Sequence, residues 1–212
     1  MNSNLKWLLL IPVFAVAVAI YLIPTVLLNE DGSGDNTTTA SSQAVKIQLD
    51  DLQERINAYQ ALLQRNPDDF EAIKGIGDSY LEMGAYLRED GSTNESYGNY
   101  KKAVDQYRKY LAMKPDDVEV RTDLGLAYSY LQMIDIAIRE LRTATAADPE
   151  NQRAWHSLGW VLYNSAGDET GATEAWQKSY DIDPHSTVGL ESKTFLDQYS
   201  SSQILVPPGI EP

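Results

Sequence analysis

A chain of 212 residues with 43% hydrophobic side chains holds enough apolar material for one domain of ordinary size plus appendages. Its 31 acidic against 17 basic residues give a net charge of -14, which repels phosphate backbones and argues against nucleic acid as a partner. The absence of cysteine excludes a disulfide framework, a thiolate nucleophile, a thiolate-held metal, a lipoprotein acylation site and covalently attached haem.

The apolar run from Leu5 to Leu28 carries no charge after Lys6, where it reads WLLLIPVFAVAVAIYLIPTVLL. At about 1.5 Å per residue the run exceeds the ~30 Å hydrocarbon core of a bilayer, and it predicts a transmembrane anchor over 1–28. Pro12 and Pro24 are tolerable in a membrane helix, where neighbouring groups re-satisfy freed carbonyls. A cleaved secretory signal is the alternative, but its small-residue sites around Ala15, Ala17 and Ala19 lie inside the apolar run. Lys6 precedes the segment while Glu30, Asp31 and Asp35 follow it. This asymmetry predicts a single-pass protein with a cytoplasmic N-terminus and an extracytoplasmic body. Residues 29–44 are dominated by Gly, Ser, Thr, Asn and Asp and read as a flexible polar linker.

Beyond the linker the pattern is helical throughout, with apolar residues at three-and-four spacing and no alternation of period two. Val45, Leu49, Leu52, Ile56, Tyr59 and Leu63 draw one stripe along a leading helix, 45–66. The stripe packs either on the next helices of the same chain or against a second copy as a short coiled coil.

Internal similarity follows. Pro115, Pro149 and Pro184 close related segments at spacings of 34 and 35 residues, and Pro67 opens a longer unit of 48. Ile76-Gly77 with Tyr80, Leu124-Gly125 with Tyr128, and Leu158-Gly159 with Leu162 share one register. Ala103 with Tyr107, Ala137 with Leu141, and Ala172 with Trp176 share a second. The pattern resembles the tetratricopeptide repeat (TPR), most closely in Trp155, Leu158, Gly159, Ala172, Trp176 and Pro184. The second unit departs from it by holding Arg121 where the family prefers Trp, and the third carries one extra residue near its turn.

The resemblance implies an all-α, TPR-type α-solenoid of about three helical hairpins plus flanking helices, behind the N-terminal transmembrane helix. The TPR domain spans 45–199, with an extended repeat at 67–115, repeats at 116–149 and 150–184, a capping helix at 185–199 and a tail at 200–212. Gly77, Gly125 and Gly159 are expected to meet Ala103, Ala137 and Ala172 where paired helices touch, small against small. The aspartates and Asn behind each proline suit helix N-termini. The 14 extra residues of the first unit divide into about two turns on each of two helices. They predict an elongated hairpin with its turn at 89–93 and Asn94 as N-cap, the alternative being a surface loop over 88–99.

Two histidines, His156 and His185, and the lack of any metal-ligand spacing leave no catalytic, cofactor or metal motif, so a non-enzymatic role is expected. The resemblance implies instead a concave face that takes a protein or peptide. In repeat register that face holds Lys74, Asp78 and Leu81, then Thr122, Leu126, Ser129 and Tyr130, then His156, Trp160, Tyr163 and Asn164. Trp160 is the expected anchor, with burial under the C-terminal helix as the bland reading. The expected role is a membrane-anchored scaffold or adaptor in assembly of an envelope complex, such as cytochrome c maturation or translocon assistance. A self-associating homo-oligomer without a separate client is the alternative.

Overall fold

The computed structural model describes residues 36–204. The predicted anchor, the first part of the linker at 29–35 and the tail from 205 lie outside the described residues. Among the described residues no helix is long and apolar enough to cross a membrane. The chain divides into two units, Met1–Ala44 and Val45–Pro212. The described part of the first, 36–44, is helical.

Eight α-helices are described: α1 (Asn36–Arg65), α2 (Phe70–Glu89), α3 (Thr93–Met113), α4 (Val118–Tyr130), α5 (Ile134–Ala147), α6 (Gln152–Val161), α7 (Glu169–Ile182) and α8 (Thr187–Ile204). They confirm the all-helical TPR-type solenoid, with hairpins α2–α3, α4–α5 and α6–α7 between flanking helices. The first helices of the hairpins also touch one another, α2 with α4, α4 with α6 and α6 with α8, and so form one continuous layer.

The helix starts follow from capping chemistry. Asp69, Asp117, Asn151 and Asp168 each accept a hydrogen bond from the backbone N–H three residues on, at 2.8–3.0 Å, which satisfies a donor that the first turn leaves open. Leu52 and Ile56 of α1 are fully buried, and the Tyr59 ring lies where a Cβ of Gly75 would stand. The Leu52–Tyr59 part of the α1 stripe therefore packs within the chain, while Val45, Leu49 and Leu63 are only half-buried.

Four expectations are corrected. The leading helix begins at Asn36 rather than Val45, so 36–44 is helix and not flexible linker. The first hairpin is elongated as expected, but its α3 is capped at Ser92, two residues before Asn94. Gly91, at φ 83, makes the earlier turn possible, with Ser92 N–H bonded to Leu87 O and Gly91 N–H to Arg88 O. The extra residue of the third repeat is absorbed by a π-helical turn, Leu162–Ala166, ahead of Gly167. Lastly, the nearest side chain to each helical glycine is not the alanine, although Gly125 also lies against the Ala137 carbonyl, 3.3 Å from where its Cβ would stand. A Cβ on Gly77, Gly125 or Gly159 would stand 2.7 Å from Tyr107, 2.7 Å from Leu141 and 2.6 Å from Trp176, the large residue one turn beyond each alanine. The helices approach small against large, with a ring or isobutyl group filling the place of the missing side chain.

Candidate protein-binding face

The layer α2–α4–α6 carries two groups of side chains. Toward the helix N-termini lies a charge network. Lys74 Nζ donates to Asp78 Oδ2 at 2.9 Å, and Tyr107 O–H donates to the other oxygen of Asp78 at 3.0 Å. From α6, Arg153 reaches back to α4, donating to Glu119 at 2.9 Å and to Asp123. Asn151 Nδ2 also donates to Glu119 at 2.7 Å, and Arg55 of α1 pairs with Glu82 at 3.2 Å.

The acids set the local field. Burial would lower the Lys74 pKa, but Asp78, with Asp123 and Asp117 behind it, outweighs burial and raises it. Burial raises the Asp123 carboxyl against the pull of Arg153, and burial raises Glu82 against Arg55. Each base of this group already has an acid within salt-bridge distance.

Toward the C-terminal ends the face is aromatic. Tyr100 of α3 stacks on Tyr130 with ring centroids 4.7 Å apart, and Tyr130 meets Trp160 edge-on at 5.7 Å. Arg88 holds its guanidinium 4.7 Å over the Tyr130 ring. Asn164 donates to the Trp160 carbonyl at 3.0 Å, while Tyr163 is 41% exposed.

Of the residues assigned to this face, Lys74, Asp78, Tyr130 and Trp160 are half-buried and reachable, and Tyr163 and Asn164 are exposed. Trp160 is not covered over entirely, as the bland reading had it, and leans on Tyr130. Leu81, Thr122, Leu126, Ser129 and His156 are buried and do not present side chains to a partner. Leu81 and Leu126 belong to the core between hairpins. Thr122 and Ser129 turn their hydroxyls onto the carbonyls of Val118 and Leu126 in their own helix. His156 is covered by α8, with Nδ1 and Ser192 Oγ 2.8 Å apart and Phe195 against its ring.

Arg88, Glu119, Asp123 and Arg153 were not foreseen. A signal was present for two of them, since Glu119 and Arg153 lie 34 residues apart and are one repeat position carrying opposite charges. Arg88 gave no such signal because it stands in the inserted part of the first hairpin, which has no counterpart in the other repeats, and Tyr100 gave none because the residues in its register, Ile134 and Glu169, are not aromatic.

Residues 122–187 match the tetratricopeptide repeat model. Small glutamine-rich tetratricopeptide repeat-containing protein 2 of Mycosarcoma maydis is 31% identical over 129 residues, which is 59% of this chain and 36% of that protein, so the chain spans well under half of that relative's length. The Sgt2 TPR domain from Aspergillus fumigatus superposes with a TM-score of 0.47 at 21% identity, over 64% of this chain and 87% of that one. The first TPR of Spaghetti (RPAP3), solved with the HSP90 peptide SRMEEVD, has a TM-score of 0.47 at 18% identity over 60% of this chain and 95% of that one. Over residues 122–187 the register of Leu-Gly and Ala positions and the paired helices it generates are similar to those of the tetratricopeptide repeat.

Proposed function

We propose that this chain is a protein-interaction adaptor that receives a partner on the α2–α4–α6 face. The observation that carries this reading is the edge-on pair of the half-buried Tyr130 and Trp160. Rigid rings that are partly open to solvent supply large contact area at low entropic cost, which is what hot spots of protein interfaces share.

The finer reading places this adaptor at a membrane, with 1–28 as the anchor, the N-terminus in the cytoplasm and the TPR domain on the extracytoplasmic side. There it would serve assembly of an envelope protein complex, such as one for cytochrome c maturation or translocon assistance. The uncharged run at 7–28, with Lys6 before it and acidic residues after it, supports this placement.

Affinity capture from membranes of the source organism, with the full chain and its Trp160→Ala variant in neutral detergent, tests the adaptor reading. One defined partner held by the parent and lost by the variant is the expected outcome. Equal capture by both removes the aromatic face from the binding role. Recovery of the chain alone favours self-assembly. Protease protection in sealed vesicles tests the topology, and digestion of the TPR domain from the cytoplasmic side would reverse it.

A further inference from the structure

Away from the α2–α4–α6 layer, a cleft of about 600 Å³ lies between α5 and the turn that joins α6 to α7. Ile138 and Ala146 line it from α5, and Leu162 and Ala166 line it from the π-helical turn. The cleft therefore stands where the third repeat departs from the 34-residue period, since the π turn is what absorbs the extra residue. Turns of this kind are frequent at functional sites, and sites that take several side chains run to about 300–1,000 Å³.

The charged groups of the cleft are unevenly committed. Asp168 accepts the Gly171 N–H at 2.9 Å as the N-cap of α7, and Asp135 sits in the first turn of α5, where a helix favours an acid. Arg139 lies 3.6 Å from Glu140, whereas Arg142 has no carboxylate within 4.0 Å among the described residues. An apolar floor beside an exposed arginine fits an apolar segment that carries an acid.

Such a segment leaves the fold close by. α8 runs antiparallel to α7, with Ser192 Oγ 2.9 Å from Ser179 Oγ and Tyr199 O–H donating to Glu169 at 3.2 Å. Tyr199 is thus beside the start of α7, next to Asp168 at the edge of the cleft. Five more residues, at ~1.5 Å each, carry α8 to Ile204. Residues 205–211 read LVPPGIE, with Glu211 as their one charge. Pro207 and Pro208 cannot continue a helix and favour an extended chain, which loses little freedom on docking. At ~3.3 Å per extended residue Ile210 reaches up to about 20 Å past Ile204, roughly twice the distance between packed helix axes.

We propose that residues 205–211 dock into the cleft between α5 and the α6–α7 turn of their own chain, as a strap that ties the second hairpin to the third. Ile210 enters beside Ile138 and Leu162, and Glu211 pairs with Arg142. The strap leaves the α2–α4–α6 face open and does not depend on the adaptor reading.

The chain has no cysteine, so single cysteines report on the cleft without background. Ala166→Cys and Thr143→Cys, at exposed positions of the cleft, and Ala58→Cys, at an exposed position of α1, are labelled with a maleimide in the full chain in neutral detergent. Each is labelled with and without Ile210→Asp. The two cleft cysteines should react about tenfold faster once Ile210→Asp is added, the ratio for a strap seated about nine-tenths of the time. Ala58→Cys should react equally in both, which separates release of the strap from general unfolding. Glu211→Gln and Arg142→Gln should each give part of the same increase. Oxidation of the double variant Thr143→Cys/Glu211→Cys should form a disulfide within one chain. A disulfide between chains assigns the cleft to a second copy and overturns the proposal, as do cleft cysteines whose rates ignore Ile210→Asp.

Discussion

Trp176 rests on the bare backbone of Gly159: a Cβ placed on that glycine would stand 2.6 Å from both Cδ1 and Nε1 of the indole. Trp176 is fully buried and stacks on Phe195 of α8 at 4.8 Å, so it has nowhere to retreat. In an open helix Gly→Ala gains ~1 kcal/mol of helix propensity, but overpacking a filled core costs about 1–3 kcal/mol. Gly159→Ala is therefore expected to destabilise the domain by on the order of 1–2 kcal/mol. Gly98→Ala, also within a helix but with nothing within 4 Å of the added carbon, should stabilise it by up to ~1 kcal/mol. Urea unfolding of the two variants checks both signs, and a stabilised Gly159→Ala would show that the α6–α7 contact is looser than described.

Much of this packing was legible in the sequence because its causes are local or periodic. The capping role of Asp69, Asp117 and Asn151 follows from their place just behind a proline and ahead of an apolar period. The elongated first hairpin follows from 14 extra residues, which fill whole turns. What Gly159 touches was not legible. Register alone pairs it with Ala172, whereas the depth at which two helices mesh brings up Trp176, and that depth depends on side-chain volumes from both helices at once. The binding face was half legible for the same reason. Register marks which residues lie on the first helices, but it does not mark which of them a neighbouring element covers, and His156 was lost to α8 in that way.

Arg121 stands where the third repeat has Trp155, and both do one task. Arg121 Nη2 donates to the carbonyl of Pro115 at 2.7 Å, and Trp155 Nε1 donates to the carbonyl of Pro149 at 2.9 Å. Arg121 also pairs with the part-buried Glu140 at 2.9 Å. Arg121→Trp is expected to keep the carbonyl bond and change stability by less than ~1 kcal/mol, while Arg121→Ala leaves the Pro115 carbonyl without its donor and Glu140 with only the longer Arg139 contact, and costs about 1–3 kcal/mol. Thermal melts of the two variants decide it. Equal losses would mean that Glu140, not the proline carbonyl, is what Arg121 serves.

The turn between α4 and α5 places Gln132 at φ 59, in the left-handed region that Gly91 and Gly167 occupy after α2 and after the π turn. Its N–H bonds Ser129 O, and Met133 N–H bonds Tyr128 O, at 2.9 Å each, the closing pattern of a helix that prefers glycine at this point. A residue with a Cβ pays roughly 1 kcal/mol for that conformation. Gln132→Gly should raise the unfolding free energy by a few tenths to ~1 kcal/mol, the smaller figure reflecting the greater freedom of an unfolded glycine. A loss of stability in denaturant titration would show that the weak Gln132 side-chain contact to the Ser129 carbonyl, 3.5 Å long, matters more than the backbone.

His156 makes the docking of α8 dependent on pH. Burial, with the Arg153 charge as the second cause, lowers its pKa from the ordinary 6.5 to about 4. The groups around it are Arg153 on its own helix and, on α8, Ser192 and the Glu191 carboxylate, 3.8 Å from Nε2 and itself raised by burial. The folded state thus holds a neutral imidazole that the unfolded chain protonates earlier. The contribution is complete above pH 6.5, falls as the pH drops through the interval, and is gone below about 4. A shift of this size corresponds to on the order of 3 kcal/mol over that window. Asp123, Glu82 and Glu191, whose pKa values burial raises, bind protons more readily when folded and push the other way, so the slope of the parent alone does not isolate the histidine. Unfolding free energies at pH 7, 6, 5 and 4.5 for the parent and for His156→Gln do isolate it. The difference between the two should shrink steadily as the pH falls, because only the parent loses the imidazole contribution; parallel curves would show that His156 is as easily protonated under α8 as in the unfolded chain.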